Sequence, residues 1–178
     1  ERLLDIVKDL DMINQFESGE IDLNITQFDH NNLVREMIDL LDLEAQKIND
    51  KMQLQASQQQ IFVKADRQRI SQVLVNLISN AIYYANRDNA LIQVIIKPIN
   101  HKVLIEIKDN GMGIKPEALP RIFERFYRVE SSRNRRDGGS GLGLAIVKHI
   151  LEAHHENIEV HSVYLEGTTF SFTLEKGE

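Results

Sequence analysis

The chain has no cysteine, no tryptophan and only three prolines. Without cysteine it can form neither disulfides nor thiolate metal sites, and its redox compartment stays open. No apolar run approaches the ~20 residues needed to cross a bilayer, and no signal peptide opens the chain, so a soluble piece is expected. An excess of basic residues is missing too. Lysine and arginine total 21 against 27 acidic residues, a net charge of −6, which disfavours nucleic acid or an anionic membrane as the main partner. What is present is 178 residues with 42% hydrophobic content, enough for the core of one ordinary domain with room for an appendage.

The charge is unevenly spread. Arg121, Arg125, Arg128, Arg133, Arg135 and Arg136 are six of the eleven arginines, opposed in that stretch only by Glu124 and Glu130. The run reads either as a solvated charged loop or as a patch for a compact anion such as a polyphosphate. It is short and the rest of the chain is acidic, so a nucleic acid fits it less well.

Hydrophobic spacing gives the elements. Leu3, Leu4, Ile6, Val7, Leu10, Met12 and Ile13 recur at three and four residues, the pattern of an amphipathic helix over residues 1 to about 16, stopped by Ser18-Gly19. It starts without a cap and resembles the end of a longer element that needs another helix to cover it. Ile21 to Phe28 alternates like a short strand. Asp29 can cap a helix to about Asn49 with Leu33, Met37, Leu40, Leu41 and Ile48 on one side. Strands are expected near Met52 to Gln55 and Ile61 to Ala65. Asp66 then caps a helix of about eighteen residues with Ile70, Val73, Leu74, Leu77, Ile78 and Ala81 inward. Leu91 to Ile99 and Lys102 to Lys108 form a hairpin, and Ile158 to Val163 and Thr168 to Leu174 follow a helix from Leu142 to about His154. Three helices and a mixed, mostly antiparallel sheet make an α/β fold, a two-layer α/β sandwich, with an N-terminal helix fragment. The long connection from about 112 to 140 is the expected lid over a ligand.

Three segments carry candidate chemistry. Gly138-Gly139-Ser140-Gly141-Leu142-Gly143-Leu144 runs straight into the apolar Ala145-Ile146-Val147, and glycines at a helix start can bring free N–H groups to a phosphate. No Lys-Ser or Lys-Thr follows and no Gly-x-Gly-x-x-Gly opens a strand-helix unit, so it is neither a P-loop nor a dinucleotide fingerprint. Asn76, Asn80 and Tyr84 lie at i, i+4 and i+8, one stripe beside the buried helix face. They are solvated surface, or they place a magnesium ligand and a base-stacking ring in one groove. Asp109-Asn110-Gly111-Met112-Gly113-Ile114 is a strand-ending turn, or a carboxylate for an exocyclic amine with glycines that admit the base.

Together with the aromatic and arginine segment from Phe123 to Arg128, and taken in chain order, these segments resemble the four nucleotide-binding boxes of the sensor histidine kinases, in the ATPase superfamily shared with gyrase and MutL. The matching residues are Asn76-Leu77-Ile78-Ser79-Asn80-Ala81, Asp109-Asn110-Gly111-Met112-Gly113, Phe123-Glu124-Arg125-Phe126-Tyr127-Arg128 and Gly139-Ser140-Gly141-Leu142-Gly143-Leu144. Gly167-Thr168-Thr169-Phe170 is similar to the family's closing motif. The resemblance implies a Bergerat-type ATP-binding fold over residues 21–178, with residues 1–20 as the end of the second helix of a dimerisation and phosphoacceptor hairpin. It implies that Asn80 coordinates Mg²⁺, that Asn76 supports phosphates and metal, that Asp109 binds the adenine amine, and that Tyr84 stacks on the base. Arg128 would neutralise the phosphates and act with Asn76 and Asn80 in transfer. Gly111, Gly113, Ile114, Phe123, Gly139, Ser140, Gly141, Leu142, Gly143, Leu144 and Thr168 would complete the ATP site.

The resemblance further implies γ-phosphoryl transfer to a histidine outside this chain, relay to a response-regulator aspartate, and an intact homodimeric kinase in the cell membrane with this domain in the cytoplasm. The fragment itself would be soluble, monomeric and without nucleic acid. None of the six histidines precedes the acidic residue and downstream Thr-Pro expected of a phosphoacceptor, and each is expected on a helix surface, in a turn or beside a strand. Tyr83 stands where many members have a phosphate-reaching lysine, and His154-His155-Glu156 replaces a common His-Gly-Gly in a turn remote from the groove. A gyrase-type hydrolase is the nearest alternative. It would place a water-activating glutamate where this chain has Asn76. A nucleotide-responsive module without catalysis is the alternative from another class, and serine kinases of the anti-sigma type fit the N-terminus poorly.

Overall fold

A computed structural model describes residues 2–19, 22–85, 87–127 and 141–178. The elements are α1 (Arg2–Ser18), β1 (Ile25–Asp29), α2 (His30–Ile48), β2 (Gln53–Ala56), β3 (Phe62–Asp66), α3 (Arg67–Tyr84), β4 (Leu91–Ile99), β5 (Lys102–Asp109), a 3₁₀ turn (Leu119–Arg121), α4 (Gly143–Ala153), β6 (Glu159–Val163) and β7 (Gly167–Lys176). The sheet runs β1-β3-β7-β5-β4-β2, with β6 paired to β7. All pairs are antiparallel except β2 with β4.

Alternation along the strands explains the layers. Ile92, Val94 and Ile96 of β4, Val103, Ile105 and Ile107 of β5, and Phe170, Phe172 and Leu174 of β7 are buried. They share a core with Leu33, Val34 and Leu41 of α2, Ile70, Leu74, Leu77 and Ile78 of α3, and Ile146, Val147 and Ile150 of α4. With period two along a strand, one sheet face lies under the helices and the other carries half-buried residues such as Gln93 and Glu106. This is the two-layer sandwich expected.

Capping starts both central helices. The Asp29 carboxylate accepts the Asn31 N–H at 3.1 Å and the Ile61 N–H at 3.2 Å. Asp66 accepts the Arg69 N–H at 3.1 Å and the Asn24 N–H at 2.9 Å. The Asp66 N–H in turn donates to His154 Nε2 at 3.0 Å, while His154 Nδ1 lies 2.8 Å from the Ile150 carbonyl. The ring is thus neutral with its proton on Nδ1, and the exit of α4 is tied to the entrance of α3. His155 follows at φ +61, a left-handed conformation that glycine adopts more readily. Glu156 is buried, pairs with Lys102 and accepts from Thr173 Oγ1 at 2.8 Å.

Three expectations are corrected. The first strand begins at Ile25 rather than Ile21, because its pairing with β3 starts at Ile25 opposite Asp66, where β3 turns into α3. Residues 20 and 21 lie outside the described residues. Leu40 is 63% and Ile48 41% exposed. The buried stripe of α2 runs through His30, Leu33, Val34, Leu41 and Ala45, leaving Leu40 about 100° around the helix and Ile48 at its last position. His30, expected at a surface, turn or strand flank, is fully buried. Its N–H donates to Ile61 O at 2.8 Å, which turns the first residue of α2 inward.

α1 packs on α4. Ile13 is fully buried, whereas Leu3, Leu4 and Val7 are exposed. Arg69 of α3 lies 5.5 Å over the Phe16 ring. The Glu17 carboxylate pairs with Arg125 and lies 3.6 Å from His149 Nε2. Its hydrogen bond with Arg125 holds the carboxyl below the usual glutamate range.

Burial pushes the His30 imidazole down to about 4, partly offset by Asp29, and neither ring nitrogen has a partner among the described residues. The unfolded chain takes up a proton near pH 6.5 that the folded chain refuses, so stability is lost as pH falls from 6.5 to 4. Against His30→Leu, the native protein should lose roughly 3 kcal/mol across that window. Urea unfolding of both proteins at several pH values checks this, and a pH-independent difference would remove His30 as the cause.

Candidate functional site

The site grows from the C-terminal half of α3. Asn76, Asn80 and Tyr84 are half-buried along one stripe of the helix, beside the buried Leu77, Ile78 and Ala81. Two separate turns close on that stripe, one at each end.

At the Tyr84 end lies the turn after β5. Gly111 sits so close to the helix that a methyl group there would overlap the Tyr84 carbonyl oxygen and come within 2.7 Å of the Ala85 Cα. Met112 N–H donates to the same carbonyl at 3.2 Å. Only a residue without a side chain lets this turn meet the end of α3. Asp109 is buried, and one of its carboxylate oxygens accepts the Gly111 N–H at 2.8 Å. Burial raises its carboxyl to about 6, while the Gly111 and Thr168 N–H groups pull it back down. A buried carboxyl whose pKa is raised by burial, beside a glycine turn, is a candidate functional group.

The flank of that turn is closed by the β6–β7 hairpin. Ile114 N–H donates to Ser162 Oγ at 2.7 Å, and Ser162 Oγ lies 2.8 Å from Thr168 Oγ1. Thr168 is buried opposite Asp109 in the β5–β7 ladder. The sequence-derived residue Thr168 is therefore beside Asp109, and Ser162, which the motifs missed, supports Ile114. No periodicity or spacing in the sequence singles out that serine.

At the other end Asn76 Nδ2 donates to the Gly143 carbonyl at 3.2 Å, so the helix stripe meets the first residue of α4. Gly141 has φ +78, and its carbonyl accepts the Phe126 N–H at 2.9 Å. Leu142 is fully buried. Phe123 packs edge-on against Phe170 at 6.3 Å, which anchors the aromatic segment to β7. Arg121 lies 4.5 Å over the Tyr127 ring and pairs with Glu124 at 3.0 Å. Asn80 has no hydrogen-bond partner for its side chain among the described residues, and Tyr84 meets Tyr83 edge-on at 5.0 Å.

The structure thus brings Asn76 to Gly143, Tyr84 to Gly111 and Met112, and Asp109 to Gly111 and Thr168 along one helix. Gly113 approaches Val163 and Tyr164 of the hairpin rather than the helix. Arg128, Gly139 and Ser140 lie outside the described residues, as do Arg133, Arg135, Arg136 and the rest of residues 128–140 of the expected lid. Among the described residues no group of three or more His, Asp or Glu side chains forms a metal centre, and no helix is long and apolar enough to cross a membrane.

Residues 65–178 match the family model described as histidine kinase-, DNA gyrase B-, and HSP90-like ATPase. The chain is 34% identical over 175 residues to the sensor protein kinase WalK of Staphylococcus aureus, covering 98% of this chain and 42% of that protein. It is similar in fold to full-length ShkA in complex with AMPPNP (TM-score 0.84, 26% identity, 98% of this chain and 36% of that one). The nucleotide-free catalytic domain of histidine kinase ThkA is also similar (TM-score 0.72, 29% identity, 86% of this chain and 99% of that one). The chain spans less than half the length of the curated relatives it matches.

The two glycine contacts differ in tolerance. Gly111→Ala should cost more than about 2 kcal/mol, because the clash is with backbone that cannot move aside. Gly143→Ala, whose nearest neighbour would be Asn76 Cγ at 3.8 Å, should melt close to the native temperature. Thermal unfolding of both variants checks the contrast; equal losses would contradict the close approach at Gly111.

Proposed function

Because the chain belongs to the histidine kinase-, DNA gyrase B- and HSP90-like ATPase family, we propose that it is the ATP-binding catalytic domain of a protein-histidine kinase in a two-component system. The γ-phosphoryl of Mg-ATP goes to a histidine on a dimerisation hairpin whose second helix ends in α1, and then to a response-regulator aspartate. The observation that carries the reading is the composition of the α3 stripe. It presents the amides of Asn76 and Asn80, and no residue of α3 is acidic. Hydrolysis by water needs a general base, whereas an imidazole acceptor brings its own nucleophile.

The residues fit magnesium-bound ATP. Asn80 has an amide oxygen with no hydrogen-bond partner among the described residues, and Mg²⁺ needs few protein oxygens when it also holds phosphates and waters. When bound, the ion would neutralise charge on the β- and γ-phosphates. Asn76, held by Gly143, supports the phosphate side; the N–H groups of Gly141, Leu142, Gly143 and Leu144 at the start of α4 favour anionic oxygens. Asp109 accepts the adenine amine, with Gly111, Gly113, Ile114 and Thr168 shaping the turn around the base, and Tyr84 stacks on it. Phe123 anchors the lid, from which Arg128, with Gly139 and Ser140, would reach the phosphates. Positioning and charge stabilisation are what phosphoryl transfer chiefly requires.

In the intact protein this domain would work in the cytoplasm as part of a membrane-bound homodimer. The half-buried Tyr83, at a position where many members carry lysine, favours a second reading, a nucleotide-responsive module with little catalysis.

Incubation with labelled ATP, Mg²⁺ and a phosphoacceptor hairpin from a related kinase should yield acid-labile phosphohistidine, reduced at least about 100-fold in Asn80→Ala. Binding without transfer would favour the module, and inorganic phosphate released at equal rate without the hairpin would favour the hydrolase. A second test uses pH. The free protein takes up a proton on Asp109 as pH falls through 6, and adenine recognition needs the carboxylate, so the preference for ATP over purine riboside triphosphate, which lacks the 6-amino group, should shrink below pH 6 by up to about tenfold per unit. Calorimetry with both nucleotides measures it, and a preference constant from pH 7 to 5 would remove Asp109 from base recognition.

A further inference from the structure

The turn that carries Asp109 is braced from outside the groove. Asn110 faces away from Asp109: its Oδ1 accepts the Leu91 N–H at 2.9 Å and its Nδ2 donates to the Asn89 carbonyl at 2.9 Å. That side chain stitches the end of β5 to the start of β4. The Asn110 carbonyl receives a different donor, Arg87 Nη1, at 3.0 Å. Arg87 is itself held from the far side, because its own carbonyl accepts Asn49 Nδ2 at 2.9 Å. Asn49 is the residue that ends α2.

The carbonyl of Asn110 and the N–H of Gly111 belong to one peptide unit, which is planar. That N–H is the donor to Asp109 Oδ1 at 2.8 Å. Fixing one end of the plane fixes the direction of the other, and a cationic donor on the carbonyl strengthens the N–H as a donor. A chain of polar contacts therefore runs from the end of α2, through Arg87 and one rigid peptide, to the buried carboxylate. Arg87 is exposed, so it makes this connection without belonging to the core.

We infer that Arg87 is a positioning residue for adenine recognition: by holding the Asn110 carbonyl it aims the Gly111 N–H at one oxygen of Asp109 and so sets the orientation in which the carboxylate meets the exocyclic amine of the base. The inference rests on the assignment of Asp109 to the adenine amine. It adds a residue outside the nucleotide motifs, and it makes the end of α2 part of the apparatus that sets base preference.

Calorimetry with ATP and with purine riboside triphosphate, both with Mg²⁺, separates this role from a general structural one. In the native chain ATP should bind more tightly than the analogue. Asp109→Ala, with folding confirmed by its thermal melt, should abolish that preference; if it does not, the adenine assignment itself fails. With that assignment upheld, Arg87→Ala should weaken ATP about fivefold, the size of one hydrogen bond, and leave the analogue unchanged. Its preference should also disappear at higher pH than in the native chain, because the carboxylate has lost support. Arg87→Lys should restore part of the preference, and Asn49→Ala should narrow it by less than Arg87→Ala. Equal weakening of both nucleotides by Arg87→Ala, or no change in either, overturns the inference.

Discussion

The approach of one turn to the end of one helix governs the rest of the site. Backbone at Gly111 lies directly on backbone at Tyr84 and Ala85, with no side chain between them and the Met112 N–H bonded to the Tyr84 carbonyl. That contact fixes the distance between the buried carboxylate of Asp109 and the stripe of Asn76, Asn80 and Tyr84. If the turn stood off by the width of a methyl group, the carboxylate would move away from that stripe. The contact also explains why Asp109 titrates high: the turn that positions it removes it from water, and two backbone N–H groups only partly repay that loss.

The other end of the stripe is held differently. Asn76 reaches the Gly143 carbonyl through a side chain, and Gly141 binds the Phe126 N–H. Phe123 anchors the same aromatic segment on β7, and Arg125, two residues further on, pairs with Glu17 of α1. The N-terminal helix, the aromatic segment and the start of α4 are therefore mechanically connected. α1 buries Ile13 while leaving Leu3, Leu4 and Val7 exposed. The two turns are thus held by different parts of the fold, the Asp109 turn by the end of α2 through Arg87 and the Gly141 turn by α1 through Arg125 and Phe126.

Much of the architecture was legible because strong local signals agreed with the tertiary outcome. Asp29 and Asp66 cap the helices they were expected to cap. The helical repeat of Ile70, Val73, Leu74, Leu77 and Ile78 matches a fully buried face. Local signals failed where burial depends on what an element packs against. Leu40 is as apolar as Leu41, yet one residue of rotation separates a core side chain from an exposed one. His30 looks like any polar residue at a helix start, and only its backbone bond to Ile61 turns it inward. Within the site, the asparagine stripe and the glycine turns stood out by spacing. Ser162, Arg87 and the supporting side chain of Asn110 did not, because each acts across a large sequence separation on a backbone group that any residue would present.

The sequence by itself determined the period of each element, the caps that start α2 and α3, and the places where glycine must stand, since these follow from dihedral preference and side-chain spacing within a few residues. The tertiary structure alone decided which carbonyl meets which glycine, which carboxylate is taken out of water, and which end of the groove α1 and α2 hold. Those depend on distant chain segments, such as Glu17 and Arg125, 108 residues apart, meeting at hydrogen-bond distance, and no local pattern encodes such a meeting.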